Sequence, residues 1–526
     1  MGLLGAALDT SNAANPDWGS LKGMSSEYLK KILCARVYDV AIESPLDYAP
    51  LLSERLTNSV WLKREDLQPI FSFKIRGAYN RMVRLTDEER EQGVVASSAG
   101  NHAQGVALAA KKLGIEATIV MPTTTPKIKI DAVQRLGANV VLMGDNYDGA
   151  YEHARALSNE RGLIFVHPYD DPDVIAGQGT IGMEILKQHP GEVDAIFVPV
   201  GGGGLIAGIA AYVKELRPQT AIIGVEPEDA DAMARSIAAG ERIRLSSVGS
   251  LADGVAVRQV GVETFRLVQE LIDEVIVVSN DEICAAVKDI YEDCRSILEP
   301  SGALAFAGMK KYVEERRISH RHLVAIASGA NMNFDRLRHI SERAEIGERR
   351  EAVLAVTIPE RPGSFRQFCA AIGARSITEF NYRYADPSTA HVFVGLQIAD
   401  AKELHELMNQ LRAQGYEAID LTDNEVAKLH VRHMVGGRAP NIAGERLFNF
   451  QFPERPGALL NFLQRMGQQW NISLFHYRNH GADFGRVLVG MEVGEDSADD
   501  LIAFLEDLNY VYTDESDNPA LTLFLR

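Results

Sequence analysis

The sequence predicts a two-lobed, doubly wound α/β domain followed by two smaller α+β modules. Between about residues 60 and 330, short runs rich in β-branched residues alternate with helical patterns. Continuous apolar strands separated by helices are typical of parallel sheets that are covered on both faces. After residue 333 this alternation ends, and a long sequence repeat follows.

The predicted parallel strands are apolar runs spread over the first part of the chain. They are ATIVM (117–121), NVVLM (139–143), LIFVH (163–167), AIFVPV (195–200), AIIGVE (221–226), VIVVS (275–279) and LVAIAS (323–328). A segment of about 300 residues usually exceeds one lobe, so we expect two lobes with a cleft between them.

The repeat in the second part has three matched blocks in one register, offset by 94 to 95 residues. The matched pairs are TIPERPGSFRQFCAAIG (357–373) with QFPERPGALLNFLQRMG (451–467), ITEFNYR (377–383) with ISLFHYR (472–478), and VFVGLQI (392–398) with VLVGMEV (487–493). A constant offset indicates two copies of one module. Each copy predicts strand, ERPG turn, helix, strand, strand and helix, with antiparallel sheets that can pair side by side.

The predicted domain boundaries follow from these two patterns. A charged stretch without an apolar stripe separates them and is expected to form an exposed helical connector. In chain order, we expect an N-terminal extension (1–35, with residues 1–23 mobile), the α/β domain (36–335, with its smaller lobe at about 64–155), the connector helix (336–350) and the two modules (351–425 and 446–526).

Composition and charge disfavour several classes of function. Acidic residues outnumber basic ones by 72 to 54, and a net charge of −18 disfavours nucleic acid and anionic membranes as partners. No stretch of about twenty apolar residues is free of charges, so we expect no membrane span. The four cysteines are widely spaced without a CxxC pair, which favours a reducing compartment and argues against a zinc site or disulfide framework. We therefore expect a cytoplasmic protein.

A lysine with apolar neighbours is the first chemical signal. In IFSFKIRGAYN, Lys74 stands among Phe71, Phe73, Ile75 and Tyr79. Burial disfavours the charged form of a lysine and lowers its pKa, which yields a reactive amine. The alternative is a lysine whose stem packs on aromatic rings while its ammonium reaches water.

Two strand-to-helix turns are candidate anion sites. SSAGNHAQGVALAAKKLG (97–114) opens with small residues, and the free N–H groups at its helix start favour an anion. Ser98, Gly100 and Asn101 are the candidate ligands, although a plain N-cap turn is an open alternative. VPVGGGGLIAGIAAYVK (198–214) places four glycines between strand and helix, where the backbone can close on a phosphate.

The four-glycine turn also has a rival interpretation. Gly202, Gly204 and Ala207 satisfy the dinucleotide pattern GxGxxA. Glu226 ends the next strand, where dinucleotide-binding folds hold a ribose-binding acid.

A third turn, AIASGAN (325–331), ends a strand in Ser328. The carboxyl ends of strands in an open α/β sheet face the ligand crevice, so the Ser328 hydroxyl is a candidate contact. An amine, an anion turn, a phosphate turn and a neutral hydroxyl together favour pyridoxal phosphate as the cofactor.

The motifs SFKIRGA, SSAGNHAQG, GGGGL and SGAN, in this order, resemble the fold-type II pyridoxal-phosphate (PLP) enzymes of the threonine dehydratase and serine racemase branch. The likeness covers residues 38 to 335. The repeated modules resemble the paired ACT-like regulatory domains of biosynthetic threonine dehydratases (threonine ammonia-lyases). The resemblance implies a lyase that converts L-threonine to 2-oxobutanoate and ammonia, the first step of isoleucine biosynthesis.

By position, the resemblance assigns roles to residues in all four motifs. Lys74 is expected to bond covalently to the cofactor aldehyde and to remove the substrate α-proton. The expected cofactor contacts are Phe73 beside the ring, Asn101 at its phenolic oxygen, Ser328 at its nitrogen, and Gly201, Gly202, Gly203, Gly204 and Leu205 around its phosphate. The expected loop for the substrate carboxylate is Ser97, Ser98, Ala99 and Gly100.

A metal site of the racemase type is not expected. Such a site takes two acids and a backbone carbonyl from an EPxxADD-like stretch. Here EPEDADA keeps Glu226 and Ala230 but has Ala232 where the second acid would stand. The same likeness gives Glu226 a context other than ribose binding, which weakens the dinucleotide interpretation.

The repeated modules contain neither a nucleophile cluster nor a metal-ligand set, so their residues leave oligomerisation and effector binding open. The resemblance implies isoleucine as a feedback inhibitor, valine as an opposing activator, and a homotetramer. Tyr382 and Tyr477, which follow matched strand positions in the two copies, are the candidate effector residues.

Two other functions stay open at this point. Another fold-type II enzyme, such as a serine dehydratase, a threonine synthase or a serine racemase, would share the motifs and differ only in small pocket contacts. A noncatalytic amino-acid sensor would keep the fold, but it would have no use for Lys74 as a covalent residue.

Overall fold

Two structural units, Met1–Ala344 and Glu345–Arg526, divide the chain in this computed structural model. The structure describes residues 25–249, 251–334, 336–348, 350–424, 427–428, 431–433, 439, 442, 444–453, 458–466, 470–478, 484–494, 498–508 and 510–518. Most of the predicted N-terminal extension, residues 1–24, and the second ERPG turn, residues 454–457, lie outside the described residues.

Helices and strands alternate along the first unit, as the α/β pattern predicts. They are α1 (Ser25–Leu33), β1 (Leu46–Tyr48), α2 (Pro50–Leu56), β2 (Ser59–Arg64), α3 (Lys74–Met82), α4 (Asp87–Gln92), β3 (Val94–Ser97), α5 (Asn101–Leu113), β4 (Ala117–Met121), α6 (Lys127–Arg135), β5 (Asn139–Leu142), α7 (Tyr147–Arg161), β6 (Ile164–Phe165), α8 (Pro172–Gln188), β7 (Ala195–Pro199), α9 (Gly204–Leu216), β8 (Ala221–Pro227), α10 (Ala232–Ala239), α11 (Val262–Leu271), β9 (Glu274–Val278), α12 (Asn280–Cys294), α13 (Pro300–Arg316) and β10 (His322–Ala327). Helix α14 (Arg336–Gly347) follows within the predicted connector.

Two parallel sheets organise the first unit. The larger lobe has the strand order β1-β2-β10-β7-β8-β9, in which β1 alone runs antiparallel to its neighbour among the described strands. The smaller lobe has the order β5-β4-β3-β6 with parallel neighbours. Each predicted apolar run contains a strand, so the two-lobed, doubly wound prediction is confirmed. Because β6 pairs with β3, the sheet of the smaller lobe continues beyond residue 155, where the sequence places its end.

Strand β2 carries charged residues that enter a buried ion network. Lys63 Nζ donates to Glu184 Oε2 at 2.6 Å, and Arg76 pairs with Glu184 at 2.6 Å and with Glu65 at 2.7 Å. All four side chains are at most 1% exposed, and two cations balance two carboxylates. This interruption of the apolar pattern explains why β2 is absent from the predicted strands.

Helix α3, which begins at Lys74, lies directly against α8. A Cβ added to Gly177 would come within 2.8 Å of the Arg76 carbonyl oxygen and of Gly77 Cα. Backbones that approach this closely leave no room for a side chain. The start of α3 is therefore held by backbone contact as well as by the Arg76 ion pairs.

The described end of the predicted N-terminal extension is a packed helix, whereas residues 1–23, which are predicted to be mobile, lie outside the described residues. Tyr28 and Ile32 are 4% and 1% exposed and belong to the same apolar cluster as residues of α9. The Tyr28 hydroxyl also donates to Glu263 Oε1 at 2.8 Å. An apolar pair four residues apart lies on one helix face, and this short stripe anchors α1.

The second unit contains the two repeated modules in one antiparallel sheet. Its elements are β11 (Glu351–Pro359), α15 (Ser364–Ile372), β12 (Ile377–Arg383), β13 (Thr389–Gln397), α16 (Ala401–Ala413), β14 (Glu417–Asp420), β15 (Glu445–Pro453), α17 (Ala458–Met466), β16 (Asn471–Arg478), β17 (Phe484–Glu492), α18 (Ala498–Leu508) and β18 (Tyr512–Asp514). The strand order β14-β11-β13-β12-β16-β17-β15-β18 joins the modules through β12 and β16, so the predicted side-by-side pairing is confirmed.

Each module has one strand more than the repeat predicts, namely β14 and β18 at the two ends of the sheet. Both are short, and most of their residues are exposed. Short exposed edge strands lack the apolar alternation by which strands are found in a sequence. None of the helices in the described part of the chain is both long and apolar enough to cross a membrane.

Candidate active site

A cavity of about 470 Å³ opens in the first unit where several strands end and helices begin. Its walls include Ser97 at the end of β3, Pro199 at the end of β7 and Ser328 just after β10. The carboxyl edge of an open α/β sheet is where ligands bind in such folds. The cavity lining contains every residue that the sequence assigns to cofactor or substrate carboxylate: Phe73, Lys74, Ser97, Ser98, Ala99, Gly100, Asn101, Gly201, Gly202, Gly203, Gly204, Leu205 and Ser328.

Lys74 is the first residue of α3, and its amine points into this cavity. Its Nζ donates to the Pro168 carbonyl oxygen at 2.9 Å and lies 5.3 Å from the centre of the Phe73 ring. Burial lowers the pKa of Lys74 to about 8. Phe71 departs from the expected apolar surroundings, because it is 56% exposed and adopts a φ of +55°.

The four-glycine turn runs from β7 into α9. Gly203 has a φ of +96° and precedes the first residue of the helix, a conformation that favours glycine. A Cβ added to Gly202 would lie 2.2 Å from the Tyr169 ring, so only glycine fits beneath that ring. The free N–H groups at the α9 start give this turn the character of an anion site.

The loop before α5 places small side chains and free backbone groups beside Lys74. Ser97 is fully buried, and its hydroxyl has no hydrogen-bond partner within the described residues. The Gly100 N–H donates to Ser98 Oγ at 3.2 Å, and no atom lies within 4 Å of a Cβ added to Gly100. A buried hydroxyl without a partner next to open space is suited to a polar ligand group.

Asn101 is held at both ends of its side-chain amide. Its Nδ2 donates to Glu299 Oε1 at 2.6 Å, and its Oδ1 accepts from Asn331 Nδ2 at 2.7 Å. The second N–H of the amide is then the one left for a ligand.

Ser328 is brought next to the Lys74 segment by backbone pairing. The Phe73 N–H donates to the Ser328 carbonyl oxygen at 3.3 Å, and Ser72 and Gly329 form a β-bridge. The Ser328 hydroxyl donates to the Ser301 carbonyl oxygen at 3.1 Å.

The cavity also contains residues that the sequence motifs do not predict. Burial, and to a smaller extent the negative charge of Asp253, raises the pKa of Glu299 to about 7. Glu299 stands just before α13 and follows helix α12 rather than a strand, so the strand-to-helix pattern of the other turns does not point to it. The other cavity residues without a sequence assignment include Lys129, Pro168, Tyr169, Asp253, Ser301 and Asn331.

These features fit pyridoxal phosphate better than a dinucleotide. The glycine turn that a side chain would fill, the unpartnered Ser97 hydroxyl and the Lys74 amine match a phosphate, a carboxylate and an aldehyde. Glu226 is fully buried and accepts from the N–H groups of Met233 and Ala234 at 2.9 and 2.8 Å. It caps α10 and does not line the cavity, so it offers no ribose contact.

The stretch EPEDADA, where a racemase-type metal site would lie, instead supplies the acid that caps α10. Both carboxylate oxygens of Glu226 are engaged by backbone N–H groups, and Ala232 begins the helix. No group of three or more His, Cys, Asp or Glu side chains suited to a metal ion occurs within the ranges that the structure describes.

The two candidate effector tyrosines lie on adjoining strands of the second unit. In the β12–β16 ladder, Tyr477 faces Phe380 and Tyr382 faces Phe475. Tyr382 is 4% exposed, and its hydroxyl donates to Glu360 of the first ERPG turn. Neither tyrosine lines the small cavity of about 10 Å³ that opens nearby between Arg361–Phe365 and Trp470–Ile472.

Comparison with known proteins extends over nearly the whole chain. Residues 37–329 match the family described as pyridoxal-phosphate dependent enzyme. Residues 342–431 and 436–525 each match the C-terminal regulatory domain of threonine dehydratase.

Among curated relatives, the L-threonine dehydratase biosynthetic IlvA of Burkholderia multivorans is 56% identical over 95% of this chain and 99% of that protein. The protein of the same name from Escherichia coli K12 is 52% identical over 95% of this chain and 97% of its own length. Among solved structures, the processed form of threonine deaminase isoform 2 from Solanum lycopersicum superimposes with a TM-score of 0.60 at 55% identity, covering 61% of this chain and 93% of that one. Maize serine racemase does so with a TM-score of 0.56 at 34% identity, covering 60% and 95%. The chain therefore belongs to the biosynthetic threonine dehydratase family of pyridoxal-phosphate-dependent enzymes.

Proposed function

We propose that this chain converts L-threonine to 2-oxobutanoate and ammonia with pyridoxal 5'-phosphate bound in the cavity of its first unit. The observation that carries the proposal is the position of Lys74 Nζ, an amine of lowered pKa that lines the same cavity as the four-glycine turn. The names of the curated relatives, which this chain matches almost end to end, support threonine as the substrate.

In this proposal, three turns hold the cofactor. The N–H groups of Gly201 to Leu205 bind its phosphate, and Asn101 donates its remaining N–H to the phenolic oxygen. Ser328 offers the ring nitrogen a hydroxyl rather than a carboxylate, and Phe73 packs beside the ring. When bound, pyridoxal phosphate supplies an aldehyde that bonds to amines and a conjugated ring that stabilises negative charge at the substrate α-carbon.

Lys74 acts as the covalent anchor and then as the base. A pKa of about 8 leaves part of this amine neutral near pH 7, whereas an ordinary lysine would be almost fully protonated. The neutral amine accepts the α-proton of the substrate at Nζ. The Pro168 carbonyl oxygen, which accepts from Nζ at 2.9 Å, holds the amine at the cavity wall.

The loop before α5 holds the substrate carboxylate in this proposal. The N–H groups at the α5 start and the hydroxyls of Ser97 and Ser98 are donors beside Lys74. Ser97 contributes the buried hydroxyl that has no partner within the described residues. Holding the carboxylate here fixes the α-carbon relative to the base.

The second unit regulates the reaction in this proposal, with isoleucine as inhibitor and valine as activator. Its two matches to the regulatory domain of threonine dehydratase support this role, and Tyr382 and Tyr477 are the proposed effector residues. We also infer a homotetramer in the cytoplasm.

The testing experiment measures ammonia and 2-oxobutanoate release from threonine, with serine as the competing substrate and with or without isoleucine. Lys74→Ala is expected to lower turnover by about 10³-fold or more, because it removes both anchor and base. Lys214→Ala is the matched control: this lysine pairs with Asp273 at 2.8 Å outside the cavity, and its loss is expected to leave turnover within about threefold. Near-normal turnover in Lys74→Ala, or release from serine alone, would contradict the proposal.

A further inference from the structure

Glu299 is a buried carboxyl group in the cavity for which the proposed reaction has no use so far. It precedes α13 at the N-cap position and is 4% exposed. Its side chain lies close to the Lys74 segment, because a Cβ added to Gly329 would be 2.4 Å from Glu299 Oε1 and 3.3 Å from the Phe71 carbonyl oxygen. A buried carboxyl group is costly unless it serves a hydrogen-bonded role.

The hydrogen bonds around Glu299 determine how the Asn101 amide is turned. A carboxylate only accepts, so the Asn101 atom at 2.6 Å must be the donor Nδ2. On the other side, Asn331 Nδ2 donates both to the Ile70 carbonyl oxygen at 2.6 Å and to Asn101 Oδ1 at 2.7 Å. In the hydrogen-bond series Glu299–Asn101–Asn331, every donor therefore meets an acceptor, and one Asn101 N–H is left for a ligand.

The charged groups around Glu299 come from several elements. Asp253 on the loop before α11, Lys129 on α6 and Arg336 on α14 face it, and Lys74 lines the same cavity from α3. Lys129 and Arg336 both pair with Asp253, at 2.7 and 3.5 Å. These two cations therefore reduce the extent to which Asp253 raises the pKa of Glu299. Burial is the main cause that raises the pKa of Glu299 to about 7.

We propose that Glu299 is a positioning residue that orients the Asn101 amide, and that its ionisation tunes the hydrogen bond from Asn101 to the phenolic oxygen of the cofactor. This inference rests on the proposed function, because it needs the cofactor in the cavity. An ionised Glu299 accepts a charge-assisted bond from Asn101, whereas a protonated one accepts a weaker bond. The hydrogen bond from Asn101 to Glu299 is therefore weaker at pH values below the pKa of Glu299 and stronger at pH values above it.

The test follows the absorption spectrum of the full-length holoprotein between about pH 5.5 and 8.5. The wild type is expected to show a spectral transition centred near pH 7, where Glu299 titrates. Glu299→Gln keeps an acceptor for Asn101 but cannot ionise, so it is expected to bind cofactor and to lack this transition. Glu226→Gln is the matched control. Glu226 is also buried and has a pKa raised to about 8, but it caps α10 outside the cavity. The Glu226→Gln variant should therefore keep the spectral transition.

A second measurement tests the route through Asn101. Asn331→Ala removes the other anchor of the amide and is expected to weaken cofactor binding to the apoprotein about fivefold. Combined with Glu299→Gln, the two changes should be non-additive by at least about threefold, because both act on one amide.

Three results would overturn the inference: an unchanged transition in Glu299→Gln, a wild-type holoprotein without any transition in this pH range, or strictly additive effects in the double variant. A protein that binds no pyridoxal phosphate at all would instead defeat the proposed function, so the two failures can be told apart.

Discussion

Lys63 is buried in the first unit and Lys74 is half-buried at its cavity, and different partners surround the two amines. Lys63 Nζ donates to Glu184, Gln188 and the Ser44 carbonyl oxygen, so carboxylate charge opposes the fall in pKa that burial causes. Lys74 Nζ donates to a carbonyl oxygen, and burial alone sets its pKa at about 8. Neighbouring carboxylates favour the charged form of Lys63, whereas Lys74 faces a neutral acceptor and its amine is available to the cavity.

The ion network around Glu184 gives a prediction about stability. Glu184→Ala leaves Lys63 without its carboxylate and Arg76 with only Glu65, so we expect the free energy of unfolding of the first unit to fall by about 3–5 kcal/mol. Denaturant unfolding monitored by circular dichroism measures this change.

The matched control for Glu184→Ala lies nearby on α8. Lys187 pairs with Glu43 at 2.9 Å, but the two side chains are 68% and 39% exposed. Exposed pairs contribute little, so Lys187→Ala is expected to cost less than about 1 kcal/mol. Equal costs for the two variants would show that the buried network does not stabilise the first unit.

At the scale of elements, the starts of α3, α5, α9 and α13 carry the chemistry. Each start contributes residues to one cavity. Helix α5 follows β3 of the smaller sheet and α9 follows β7 of the larger sheet, whereas α13 follows helix α12. Helix starts are sources of unpaired N–H donors, which explains why anionic parts of a cofactor and substrate are expected in this cavity.

The glycine turn before α9 gives a prediction at this scale. Gly202→Val places a side chain where the Tyr169 ring lies, so either the ring moves or the turn opens. We expect the dissociation constant for pyridoxal phosphate to rise at least about tenfold, measured by titration of the apoprotein. Gly191→Ala, a glycine whose added Cβ meets no atom within 4 Å, should leave that constant unchanged. If Gly202→Val bound pyridoxal phosphate with the affinity of the wild type, the cofactor phosphate would not bind at this turn.

Much of the site is predictable from the sequence because its parts are local. Lys74, the four-glycine turn and Ser328 each lie in a short motif whose chemistry can be inferred from the local sequence alone. The contacts that Glu299 and Asn331 make with Asn101 are different, since they span 198 and 230 residues of chain. No local pattern records such contacts.

The fold was predictable to the extent that strands are apolar. The apolar runs of the large and small lobes predict their strands, whereas the buried Lys63 and Arg64 interrupt the apolar pattern of β2. The edge strands β14 and β18 are mostly exposed and therefore lack an apolar pattern in the sequence. Helix α1 has only a short apolar stripe, which is too short to predict it. In each case tertiary contacts decide the structure rather than local preference.

At the scale of the whole molecule, the chain combines a unit that carries the cavity with a unit that carries the paired modules. Allosteric inhibition in the proposed function requires an effector to bind two states of the protein with different affinity. Truncation after Gly347, the end of α14, removes both modules. We expect turnover of threonine to stay within about threefold and isoleucine inhibition to be lost, as measured by 2-oxobutanoate release. A truncated protein that isoleucine still inhibits equally would place the effector site in the first unit.

The most direct test of the central claim is to map where pyridoxal phosphate attaches. Borohydride treatment of the coloured holoprotein, followed by proteolysis and mass spectrometry, identifies the modified side chain. The predicted result is loss of the absorption band and a single cofactor adduct on Lys74. An adduct on another lysine, or a colourless protein without any adduct, would contradict the assignment of this amine and the chemistry proposed for it.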